Sequence, residues 1–105
     1  MRCHLVLVLQ TLLASPALAQ QPNVATGKRV AEQDCASCHA IERDAQKSPV
    51  AHAPTFAAIA ALPSTNELSL RVFLRTSHAG MPNVMLRDDE IDPLLAYIVS
   101  LKPPR

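Results

Sequence analysis

Apolar residues recur at helical spacing along this chain, and no stretch alternates convincingly as a half-buried strand would. Asn23 is placed to cap a helix over about residues 24–34, with Val24, Gly27, Val30 and Ala31 on one face. Residues 40–55 are polar, hold Pro49 and Pro54, and read as a loop. Residues 56–62 are apolar and Ala-rich, enough for one or two helical turns before Pro63. Ser64-Thr65-Asn66-Glu67 has capping-box spacing and predicts a helix to about Arg75. Its inner face would carry Leu68 and Val72, four apart, with Phe73 beside them. Residues 76–86 form a loop holding His78, Gly80, Met81, Pro82 and Met85. The last helix carries Ile91, Leu94, Leu95, Ile98 and Leu101 and stops at Lys102-Pro103-Pro104. Asp88 as its cap would put Pro93 inside, with one hydrogen bond lost. Asp92 as its cap would make Pro93 the first helical residue. An early start with a loosened first turn is favoured. The pattern as a whole is all-α: three main helices and a short helical turn.

The N-terminus carries a different signal. Arg2, the apolar run from Leu5 to Leu9, Leu12-Leu13-Ala14 and the closing Ala17-Leu18-Ala19 have the layout of a secretory signal peptide over residues 1–19. The run is well short of the ~20 apolar residues of a membrane span. Cleavage would leave residues 20–105 as one domain with no membrane span, exported to the periplasm. Removing Arg2 would bring the net charge from +1 to zero. A neutral chain lacks the basic stripe that nucleic acid requires and the net charge for strong long-range steering.

A domain this small has a marginal core and commonly leans on a disulfide, metal or cofactor. Cys35 and Cys38 are too close in sequence to staple the fold, and the chain has no Trp, two Phe and one Tyr. Cys35-Ala36-Ser37-Cys38-His39 is a C-x-x-C-H string, the attachment motif of c-type haem. Two cysteines three apart on a helical turn point the same way, so both sulfurs can reach the vinyl groups of one porphyrin. The next residue, His39, can then ligate the iron. A zinc site from Cys35, Cys38 and two of His39, His52 and His78 would not have the usual spacings. A thioredoxin-like C-x-x-C would sit at a strand-to-helix junction, whereas this one follows a helix. The export signal supports the haem reading independently.

Electron transfer calls for a second axial ligand. Met81 is preferred, since a methionine in a polar, Pro-containing loop makes a poor core residue. Met85 and His78 are the alternatives; the first would be a packing residue and the second would give a bis-histidine haem. Methionine raises the reduction potential relative to a second histidine. His52 reads as a solvent-facing loop residue.

The order helix, C-A-S-C-H, proline-bearing loop, H-A-G-M-P-N, and the A-Y-I-V-S-L end of the last helix resembles class I cytochrome c, in its small exported bacterial form. The resemblance implies a cytochrome c-like fold wrapped around one covalently attached haem c. It implies Cys35 and Cys38 as thioether cysteines, His39 and Met81 as iron ligands, and the Pro54 carbonyl as acceptor for the His39 ring N–H. It also implies that Gly27 packs against Tyr97 where the first and last helices cross. The expected function is single-electron transfer without substrate chemistry. Partners would be redox proteins: a donor dehydrogenase and an acceptor oxidase or reductase. The protein would be a monomer or a subunit of a complex. A haem subunit of a periplasmic dehydrogenase, or a haem enzyme or sensor with an open sixth position, are the alternatives. The chain departs from the family in lacking a Trp for a haem propionate, for which Arg71, Arg75 or His78 are substitutes, and in carrying Arg87 and Pro93 at the start of the last helix.

Overall fold

The computed structural model describes residues 23–105; the expected signal segment, with Cys3 and His4, lies outside them. Four helices follow in order: α1 (Val24–Asp34), α2 (Phe56–Ala61), α3 (Glu67–Leu74) and α4 (Asp88–Ser100). Among the described residues the only β-type pairing is an isolated bridge between His78 and Met81. None of these helices is long and apolar enough to cross a membrane.

Asn23 caps α1, its side-chain oxygen accepting from the Ala25 and Thr26 amides. Gly27, Val30 and Ala31 are buried on the face turned to α4, while Val24 stays exposed. The two helices cross at Gly27. A Cβ built there would lie 1.9 Å from the Pro93 carbonyl oxygen and 2.8 Å from the Tyr97 Cβ. Only a residue without a side chain allows that approach. Leu94, Leu95, Tyr97 and Ile98 of α4 then fill the core against Val30, Ala31 and Phe56.

The early start of α4 holds, with Arg87 rather than Asp88 as N-cap and Pro93 inside the helix. Arginine has no acceptor to offer the free amides. Glu90 answers by accepting from the Arg87 amide at 2.8 Å, and three acidic residues in the first turn suit the positive end of the helix dipole.

The cap of α3 is a correction. Ser64 does not cap it; Asn66 does, with Ser69 reciprocating. Both pairs have capping spacing, and Asn is as good a cap as Ser. The expected inner face of α3 is a second correction. Leu70 is its buried residue, whereas Leu68, Val72 and Phe73 are 71%, 56% and 51% exposed.

Candidate functional site

Cys35 terminates α1, and its amide still bonds to Ala31. The Cys38 and His39 amides both bond back to the Cys35 carbonyl, at 3.1 and 2.9 Å. The motif is therefore one tight turn continuing the helix. Both thiols are free; Cys35 is buried and Cys38 half-buried. Burial, and less so the nearby Asp34 and Cys38, pushes the Cys35 thiol up to about 11.

The loop over residues 40–55 wraps the turn. Val50 donates to the Cys38 carbonyl, Phe56 to the Ala40 carbonyl, and the Ala40 amide to Ser48 Oγ. This folding-back brings the Pro54 carbonyl to 2.6 Å from His39 Nδ1. A carbonyl only accepts, so Nδ1 carries the proton and Nε2 keeps its lone pair. The His39 ring leans on Phe56 at 5.6 Å between centroids, and Phe56 leans on Tyr97 at 6.5 Å. The Tyr97 hydroxyl donates to the buried Ile41 carbonyl at 2.8 Å. Burial, ahead of the Glu42 charge, raises its pKa.

Met81 ends a tight turn, His78-Ala79-Gly80-Met81, closed by the Met81 amide on the His78 carbonyl. Gly80 takes φ +80°, the value a type II turn asks of its third residue and one that glycine adopts freely. The turn puts its first and last side chains side by side: His78 Nε2 lies 2.9 Å from Met81 Sδ. Phe73 packs on the His78 ring, with centroids 3.8 Å apart and planes tilted by 33°. The turn also abuts the His39 loop, since a Cβ at Gly80 would be 3.7 Å from the His52 imidazole.

Met85 stands 91% exposed. A hollow of about 340 Å³ runs beside it, lined among others by Leu74, His78, Met81, Leu86 and Ile91. Leu68, Val72 and Phe73 of α3 are further apolar side chains left uncovered. Two free thiols on one turn and an imidazole with a free Nε2 fit a porphyrin. Among the described residues no set of three or more His, Cys, Asp or Glu side chains gathers as a metal site, which leaves the zinc reading unsupported.

Arg71 and Arg75, expected substitutes for a propionate partner, lie along α3 and at its end. Each pairs with an aspartate of α4, Arg71 with Asp92 and Arg75 with Asp88. The matching i, i+4 spacing on both helices was the sequence signal for this ladder. Arg43 had no local signal; it donates to the Ser100 and Leu101 carbonyls at the end of α4. That contact ties the loop after the cysteine motif to the last helix.

The family model described as "Cytochrome c" matches residues 24–102. Among curated proteins, a cytochrome c-552 of Bradyrhizobium diazoefficiens is 31% identical over 105 residues, covering 98% of this chain and all of the relative. No solved structure matches it significantly.

Proposed function

Because the chain belongs to the cytochrome c family and so carries covalently attached haem c for electron transfer between redox proteins, we propose that it is an exported, periplasmic monohaem carrier with His39 and Met81 as axial ligands. Cys35 and Cys38 hold the haem through thioethers. The bound iron supplies the electron by cycling between its ferric and ferrous states. The polypeptide sets the terms of that cycle.

The observation that carries the assignment is the 2.6 Å bond from His39 Nδ1 to the Pro54 carbonyl, directly after two free cysteines on one turn. The bond favours the Nδ1–H tautomer, which leaves Nε2 free to ligate and strengthens it as a donor. Met81 provides a thioether donor at the end of a turn that Gly80 permits at φ +80° and that Pro82 stiffens from the residue beyond. Methionine as the second ligand would favour the reduced state relative to a second histidine. The exposed apolar side chains Leu68, Val72 and Phe73 would exclude water from a haem that lay against them and so disfavour the more charged ferric state. With both ligands held by the protein in either oxidation state, little rearrangement accompanies each transfer. The redox partners, a donor dehydrogenase and an acceptor oxidase or reductase, dock through small, short-lived contacts.

Absorption of the matured ferric protein tests the ligand set. A low-spin spectrum with the weak far-red band of methionine-ligated haem, unchanged ferrous absorption under carbon monoxide, and loss of the band in Met81→Ala are expected. A high-spin haem that binds carbon monoxide would overturn the carrier reading.

A further inference from the structure

The Met81 turn contains a second imidazole that, like His39, sets its Nδ1 against a backbone carbonyl. His78 Nδ1 lies 3.0 Å from the Thr76 carbonyl, as His39 Nδ1 lies 2.6 Å from the Pro54 carbonyl. Donation from Nδ1 to that carbonyl leaves Nε2 with a free lone pair, the tautomer that ligates metal; in the other tautomer of His78, Nε2–H donates to the Met81 sulfur. The His78 ring is held by the Phe73 contact and by the bridge that joins residues 78 and 81. Its Nε2 and the Met81 sulfur are 2.9 Å apart, so two donor atoms of one turn converge on the same place.

We propose that His78 is a reserve axial ligand, which takes the iron when Met81 can no longer hold it; the inference rests on Met81 being the resident ligand. The exchange breaks one iron–sulfur bond and forms one iron–nitrogen bond. His78 binds the iron as its Nδ1–H tautomer, so a proton that Nε2 had donated to the sulfur moves to Nδ1, where the Thr76 carbonyl accepts it. A peroxide provides a natural trigger. The Met81 thioether takes one oxygen atom to become a sulfoxide, and the peroxide leaves as water. Met81 is only half-buried, so it is open to such attack. A haem that lost its sulfur and gained nothing would bind peroxide and turn into an oxidant. With His78 in reserve, the sixth position closes again and the potential falls, because a second histidine does not favour the reduced state as methionine does. The carrier would drop out of electron transfer without becoming a peroxidase.

The test uses the matured, haem-loaded protein in four forms: wild type, His78→Ala, Met81→Ala and the double variant. Wild type and His78→Ala should both keep the far-red band. Met81→Ala should lose the band yet stay low-spin and form no carbon monoxide complex, and the double variant should be high-spin and bind carbon monoxide. A high-spin Met81→Ala overturns the proposal, and so does a double variant that remains low-spin, since the replacement ligand then comes from elsewhere. If Met81→Ala fails to mature, peroxide treatment of wild type and His78→Ala replaces it, with sulfoxide on Met81 verified by mass spectrometry. Oxidised wild type should stay low-spin and oxidised His78→Ala should become high-spin; equal spectra refute the idea. Failure of the underlying reading looks different: the band is absent from untreated wild type, and His78→Ala alone opens the haem.

Discussion

Replacing Gly27 by Ala sets two effects of opposite sign against each other. Ala is the better helix former, and in mid-helix the exchange alone would stabilise by about 1 kcal/mol. Against this, the added Cβ would sit 1.9 Å from the Pro93 oxygen, 2.5 Å from the Pro93 carbonyl carbon and 2.8 Å from the Tyr97 Cβ. Two of those atoms are backbone, and the third is the root of a buried side chain, so none can swing aside. Ordinary contact begins at 3.4 Å, which means that α1 and α4 must part by roughly 1.5 Å in a close-packed interior. Overpacking of this kind costs about 1–3 kcal/mol, and more where backbone must shift. Because backbone must shift, the cost falls at the upper end of that range, and the net loss expected is about 2 kcal/mol, a large part of the ~5–15 kcal/mol that holds a small domain together. Guanidinium unfolding of the haem-loaded protein, followed by circular dichroism at 222 nm and by the Soret band, measures it as a fall in midpoint at unchanged slope. Stability within about 0.5 kcal/mol of wild type, or above it, would refute the close crossing of the two helices.

Tyr97→Phe should lower stability by about 1–2 kcal/mol at neutral pH, by leaving the Ile41 carbonyl unpaired. Burial raises the Tyr97 pKa, so the unfolded phenol ionises first; its contribution is complete below about pH 10 and is lost as pH rises through the folded value. The wild-type and Tyr97→Phe stability curves should therefore converge above that pH, and parallel curves would contradict the buried hydroxyl. Gly80→Ala forces a side chain into the left-handed region, at a cost of about 1–2 kcal/mol, and should weaken the far-red band; an unchanged band and midpoint would refute the turn. A double-mutant cycle on Arg71 and Asp92, an exposed pair, should give a coupling of no more than about 1 kcal/mol. Met85→Ala should leave the spectrum as it is, whereas loss of the band would make Met85 the ligand.

The parts of this fold that were legible in the sequence are those written in local terms. Asn23 marks the start of α1, and the Ile91-to-Leu101 stripe marks α4, because caps and helical periods lie within a few residues. Ser64 misled because Ser64…Glu67 and Asn66…Ser69 compete at the same spacing, and hydrogen-bond geometry, not residue type, decides between them. Leu68, Val72 and Phe73 show a further limit: periodicity marks an apolar face but not what covers it. The attachment motif was plain, yet the order in space was not. That the Pro54 carbonyl meets His39, the relation the family resemblance implied, depends on how the intervening loop folds back. The Arg43 clamp on the end of α4 spans more than half the chain and left no trace in the sequence.

The central claim is that haem is covalently anchored between Cys35 and His39. Acid–acetone extraction of the matured protein, with peptide mass spectrometry of the residue, tests it most directly. The account predicts that the colour stays with the protein and that one haem is carried on the peptide containing Cys35 and Cys38. Colour passing into the solvent, or haem found on any other peptide, would contradict it.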